Sequence, residues 1–205
     1  AEGHWLKRSF TSLNDASMTT AVSGATSVLV HDSDGLYLMN HSSHQLVHQT
    51  TITTGNIGAW ADIEIDHLGH PSIIHARVDT SEIYWTRASS SGWSNSMISS
   101  GIDLVSPLTQ IIDSDNKKWA ILTNAADDSL TAYNRPLSSW NSNGIVAAGD
   151  AVGSHHSAMM LSNGSLAILS IVDNDGNDSL NLSILNGSTL STEALNITPN
   201  RDDRF

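Results

Sequence analysis

Two aspartates and two tryptophans recur at one interval. Asp66 and Asp113 stand 47 residues apart (113 − 66), and so do Trp93 and Trp140 (140 − 93). Equal offsets at both ends of a segment mean that a whole unit repeats without a gap. A chain of repeated units must cover the faces that one unit leaves open by setting its neighbours beside it.

The clearest unit runs from Ala61 to about Ser106. Ala61-Asp-Ile-Glu-Ile-Asp66 alternates apolar and polar residues as a strand does. His67-Leu-Gly-His70 reads as a turn, with Gly69 free to take positive φ. Pro71–Val78 and Glu82–Arg87 read as the second and third strands, and Trp93–Ile98 as a fourth. The next unit follows the same plan through Thr109–Asp113, Lys118–Thr123, Leu130–Asn134 and Gly144–Ala147. A looser copy begins at Ser157, with the turn Ser162-Asn-Gly164 and a strand at Ser165–Ile171. Near the start, Val28–Asp32, the turn Ser33-Asp-Gly35 and Leu36–Met39 match the opening of a unit. Asp32 precedes Asp66 by only 34 residues (66 − 32), so this first copy is expected to have its outer hairpins trimmed or absent.

Units of this length, each reading as a four-stranded antiparallel sheet, predict an all-β fold, a β-propeller of four to five blades or part of a larger ring. The expected organisation is one domain over residues 1–205. Its blade-like units lie at about 27–60, 61–106, 107–154 and 155–199, with partial strands in 1–26 and 200–205. Trp5 stands where Trp93 and Trp140 stand in their units, and Thr189–Ile197 already supplies an outer strand for the last unit. The frame is thus expected to be cut at both ends. The chain is expected to be a piece of a longer propeller, a small ring with an extra strand, or a subunit whose blades are completed by a second copy or another chain.

The net charge of −12, from 21 acidic against 9 basic residues, excludes a broad basic surface for nucleic acid or anionic lipid. There is no cysteine, so no disulfide framework is available. No stretch is long and apolar enough to span a bilayer. An Ala1-Glu2-Gly3 start is what a secreted chain looks like after cleavage, and the Ser, Thr, Asn and Gly content fits an extracellular or cell-surface β-protein. Sequons cluster at Asn177, Asn181, Asn186 and Asn196, the candidate glycosylation sites.

Two segments have metal-like spacing. His41-x-x-His44-x-x-x-His48 could offer imidazoles to Zn²⁺. Asp173, Asp175 and Asp178 alternate around Gly176 as oxygen ligands for Ca²⁺ do, although no Glu closes the loop. No other cofactor is indicated. Asp113-Ser-Asp115 and Asp32-Ser-Asp-Gly35 read as turn caps, the carboxylate bonding to backbone N–H groups.

Arg77, Glu82, Trp85 and Arg87 break the repeat; one unit later, Ser129 and Ala132 replace Glu82 and Trp85. A polar–aromatic set on a repeating frame fits a sugar site, with an aromatic face for the C–H side of a pyranose and polar groups for its hydroxyls. No Gly-x-Ser-x-Gly elbow, phosphate-binding loop or His-Glu-x-x-His is present. Asp62, Glu64 and Asp66 alternate along one strand and do not face one another across a substrate.

Asp66-His-Leu-Gly-His-Pro-Ser-Ile-Ile, Glu82-Ile-Tyr-Trp-Thr-Arg and Gly92-Trp93 together resemble blades of sialidase-like and tachylectin-like propellers. The resemblance implies the architecture and lectin-type binding. Ser89-Ser-Ser-Gly-Trp93 keeps only the Gly and Trp of the sialidase box, and the sialidase arginine triad has no counterpart, which argues against that activity. The sequence therefore predicts a non-catalytic extracellular module that binds a glycan or protein partner at the cell surface. Two alternatives stand beside it: a structural surface or filament subunit assembled by strand exchange, and a polysaccharide-cleaving hydrolase or lyase.

Overall fold

The computed structural model describes residues 13–20, 26–32, 35–42, 45–54, 57–77, 79–89, 91–103, 108–149, 155–172 and 179–195, with side chains from residue 60 onward. The chain divides into two compact units, residues 1–100 and 101–205. Every described element longer than a turn is a strand.

The first unit contains two antiparallel sheets. One has the order β1 (Leu13–Thr20), β2 (Thr26–Asp32), β3 (Gly35–Ser42), β4 (Gln45–Thr54). The other has the order β5 (Ile57–Ile65), β6 (Pro71–Arg77), β7 (Glu82–Ser89), β8 (Gly92–Ser100). Backbone contacts set β1 and β2 beside β5. The second unit repeats the arrangement with β9 (Thr109–Ile112), β10 (Lys118–Asn124), β11 (Ser129–Arg135) and β12 (Asn141–Ala148), then β13 (His156–Met160), β14 (Leu166–Val172), β15 (Ser179–Asn186) and β16 (Thr189–Leu195). Here β9 meets β13 and β12 meets β14. Each sheet is a four-stranded meander joined by short turns, the form of a propeller blade.

In the three sheets whose side chains are described, the second strand is the most buried. Ser72 to Ala76 of β6, Lys118 to Thr123 of β10 and most of β14 are buried residue after residue. Both faces of these strands are covered, which is why their sequences read as apolar runs rather than alternations. Burial falls outward, and β16 is exposed along nearly its whole length. In the second unit one core joins both sheets: Ile111, Trp119, Ile121, Leu130, Ala132 and Val146 pack with Leu166, Ile168, Val172 and Leu185. Covering a Leu or Ile side chain contributes roughly 1.5–3 kcal/mol, so the pairing of sheets is the main source of stability.

The turn from first to second strand is the same object three times. Asp66 N–H donates to His70 O at 3.0 Å, Asp113 N–H to Lys117 O at 3.0 Å, and Leu161 N–H to Ser165 O at 2.8 Å. The fourth turn residue has positive φ in each copy: Gly69 at 81°, Asn116 at 61° and Gly164 at 79°. Asp66 and Asp113 brace their turns alike. Oδ1 of Asp66 accepts the amides of Leu68 and His70, each at 2.9 Å. Oδ1 of Asp113 accepts those of Asp115 at 3.0 Å and Lys117 at 2.9 Å, as expected of a turn cap. In the third copy Leu161 holds that position, and Asn163 Oδ1 accepts the Ser165 amide instead.

The first sheet corrects the sequence phasing. Asp32 ends β2, the second strand of its sheet, whereas Asp66 follows β5, the first strand of the next. The 34-residue interval measured one strand out of phase, not a shortened unit. The sheet is complete: β4 runs ten residues where trimmed outer hairpins were expected, and β1 lies where only a partial strand was expected. In position, the sheets occupy 13–54, 57–100, 109–148 and 156–195. Trp5 lies outside the described residues.

Replacing Asp113 with Ala removes an acceptor for two amides and for Trp119 Nε1, which sits 3.3 Å from Oδ2. The expected loss is about 2 kcal/mol, read as a lower urea midpoint at unchanged slope.

Candidate functional site

Strand parity decides which side chains of the second sheet can meet. Along β6 and β7 the paired residues are Arg77 with Glu82, His75 with Tyr84, Ile73 with Thr86, and on alternate positions Ala76 with Ile83, Ile74 with Trp85, Ser72 with Arg87. Successive side chains point to opposite faces. Arg77 and Glu82 therefore share one face at the β6–β7 turn, while Trp85 and Arg87 lie on the other. The structure does not bring the four repeat-breaking residues into one pocket. Trp85 is 4 % exposed and belongs to the core.

Arg87 is committed elsewhere. Its guanidinium donates to Asp66 Oδ2 at 2.7 Å and lies 3.1 Å from His70 Nδ1. A guanidinium can only donate, so that nitrogen of His70 is the acceptor. The Asp66 side chain is fully covered. Burial pushes its carboxyl up, but the amides of His70 and Leu68 and the Arg87 charge outweigh that and hold it below the usual range. Asp66, His70 and Arg87 form a brace across β6.

The surface at the β6–β7 turn is different. Glu82 Oε2 accepts from Thr80 Oγ1 at 2.6 Å and from the Tyr84 hydroxyl at 3.0 Å. Arg77 reaches Asp79 Oδ2 at 3.4 Å. Tyr84 stacks on the buried His75, ring centroids 5.9 Å apart and planes 19° apart, and faces the half-exposed Met97 on β8. Beneath it, Thr86 Oγ1 donates to Asn95 Oδ1 at 2.8 Å and so receives its own bond from His75 Nε2 at 3.0 Å. This chain of contacts fixes the rings that support the surface. The hydroxyl donors of Thr80 and Tyr84 lower the Glu82 pKa, and the same bond raises that of Tyr84.

Thr80, Asp79 and Tyr84 stood outside the four-residue set expected from the sequence. For Thr80 and Tyr84 the signal was parity: with Glu82 they fall at alternate positions, and Trp85 does not. In the second unit the corresponding residues are Asn124, Asp127, Ser129 and Thr131. Asn124 Oδ1 there accepts the amides of Asp103 and Ala126, and Ser129 Oγ donates to Asp127. These contacts order the turn and tie it to Asp103.

The other candidates are scattered. His41 pairs with Leu46 and His48 with Met39 on the β3–β4 ladder. His44, Asp173, Asp175 and Asp178 lie outside the described residues. Among the described residues no group of three or more His, Cys, Asp or Glu could hold a metal. Asn186 is exposed at the end of β15, Asn181 is half-buried within that strand, and Asn177 and Asn196 lie outside the described residues. Among the described residues no helix is long and apolar enough to cross a membrane.

No protein-family model and no curated protein matches the chain. Solved structures do. A polysaccharide lyase, an ulvan lyase, matches with a TM-score of 0.65 at 8 % identity, over 86 % of this chain and 54 % of that one. An exo-β-1,3-galactanase from Phanerochaete chrysosporium with bound galactotriose matches with a TM-score of 0.60 at 9 % identity, over 94 % of this chain and 53 % of that one. An α-L-arabinofuranosidase from Fusarium graminearum with an iminosugar inhibitor matches with a TM-score of 0.54 at 8 % identity, over 89 % of this chain and 66 % of that one. The chain spans between half and two thirds of the length of these structures. The likeness establishes the fold: the sheets are β-propeller blades.

The Asp66 brace has a signed pH dependence. A folded pKa below the unfolded one contributes stability that is complete above the unfolded value and is lost as pH falls through the folded value. Wild-type stability is expected to fall on acidification below about pH 4, the ordinary carboxylate range. In Asp66→Asn, which starts lower, that slope is expected to be shallower, as read by denaturant titration at a series of pH values.

Proposed function

We propose that this chain is a non-catalytic carbohydrate-binding propeller module whose ligand sits on Arg77, Glu82 and Tyr84 at the β6–β7 turn. The observation that carries the reading is the Glu82 carboxylate. Thr80 and Tyr84 hold it in place on a half-exposed surface, beside a cation and an aromatic ring. Such a group costs little to order on binding, because its rotamer is already fixed. A pyranose seated beside Tyr84 would offer its C–H face to the aromatic side chain, with hydroxyls reaching Glu82 Oε1 and the Arg77 N–H groups.

The fold likeness supports the ligand class, because the three similar structures carry names that describe action on carbohydrates. At Glu82 itself, a binding role fits better than that of a general acid. A general acid needs a carboxyl held protonated at working pH, and the hydroxyl donors around Glu82 do the opposite. An extracellular or cell-surface setting goes with this reading, supported by the acidic, cysteine-free composition rich in Ser, Thr and Asn.

The test is a glycan array followed by calorimetry on the best ligand. Glu82→Gln and Tyr84→Ala are each expected to weaken binding about tenfold, the loss of a charge-assisted hydrogen bond or of an aromatic platform. Trp85→Phe, a core change on the opposite face, is expected to alter stability more than affinity. Absence of any glycan ligand for the folded chain would overturn the proposal.

A further inference from the structure

We infer that this site takes uncharged glycans and rejects those bearing carboxylate or sulfate groups, and that Asp79 sets the distinction. The inference rests on the binding reading above. Recognition of an anionic sugar needs a guanidinium or ammonium free to pair with it. Among the described side chains of residues 60–100, the Arg and Lys cations are Arg77 and Arg87 alone. Arg87 lies on the opposite face and is paired with Asp66 at 2.7 Å. Arg77 is on the proposed face, but Asp79 lies 3.4 Å from it, each side chain 42 % exposed.

An incoming carboxylate would therefore meet a cation already engaged, with Asp79 on one side and Glu82 on the other. It would also approach a chain of net charge −12. Discrimination of this sort comes as much from repulsion of the wrong ligand as from attraction of the right one. A neutral hydroxyl meets no such barrier. It can donate to Glu82 Oε1 and accept from guanidinium N–H groups that Asp79 leaves over, since a guanidinium carries five donors. The corresponding position to Asp79 one unit later is Ala126, so the acid belongs to this turn and not to the repeat.

The experiment compares affinities of the intact chain for neutral galactan oligosaccharides and for oligogalacturonate of matched length, at low and physiological salt. Wild type is expected to bind the neutral ligand and to bind the uronate at least tenfold more weakly, with the gap narrowing as salt rises. Asp79→Asn keeps the side-chain shape and frees Arg77. It is expected to raise the uronate-to-neutral affinity ratio about fivefold, the worth of an exposed ion pair plus one lost repulsion. Asp79→Ser, which shortens the side chain, is expected to shift the ratio the same way, with circular dichroism confirming that both variants fold. Equal binding of uronate and neutral ligand by wild type, or an unchanged ratio in both variants, would overturn the inference while leaving glycan binding intact. Binding of no glycan of any kind would instead remove the binding reading, and this inference with it.

Discussion

The structure depends on second strands that are covered on both faces. Ile73 and Ile74 of β6, Ile121 and Leu122 of β10, and Leu166 and Ala167 of β14 are consecutive residues, all buried. Neighbouring side chains on a strand point opposite ways, so no single layer of solvent-facing sheet can satisfy Ile73 and Ile74 together. Each sheet needs something on either side. In the second unit the core shared by its two sheets supplies one such cover. Of these strands the proposed site uses only Arg77, the last residue of β6, because the interior positions are spent on packing.

The turn between first and second strands solves a smaller problem in two ways. A carboxylate at its first position collects two amides in the Asp66 and Asp113 copies. The Leu161 copy keeps the same backbone ring with an Asn two residues later. The shared element is geometric, a closing 3 Å hydrogen bond and one residue at positive φ, and several side-chain chemistries can satisfy it. At the opposite end of the sheets the second-to-third turns diverge. One carries Arg77, Asp79, Thr80, Glu82 and Tyr84, and its counterpart carries Asn124 and Asp127, bonded to Ala126 and Ser129 of the same turn.

Much of this was legible in the sequence, and the failures have physical causes. The 47-residue offset identified equivalent strands correctly because Asp66 and Asp113 perform one structural task. Asp32 misled, since Asp also serves at the turn between second and third strands; residue type alone does not distinguish the two turns. The first sheet was thus phased one strand late, and a complete four-stranded sheet read as a truncated one. The candidate site was half legible. Arg77, Glu82, Trp85 and Arg87 were all picked out as departures from the repeat, but strand pairing puts Trp85 and Arg87 on the other face of the sheet. Alternation separates residues 82 and 85, and counting parity along Glu82-Ile-Tyr-Trp-Thr-Arg87 would have exchanged Trp85 for Tyr84.

The ion pair between Asp66 and Arg87 joins the end of β5 to β7, over the head of β6. Three adjacent strands are therefore keyed at a single point. Sliding β5 past β6 by one residue would carry Asp66 away from the guanidinium and turn its carboxylate to the wrong side of the sheet. An acid and a base thus act as an alignment pin for a ladder whose backbone bonds, being alike at every rung, could not choose among offsets unaided.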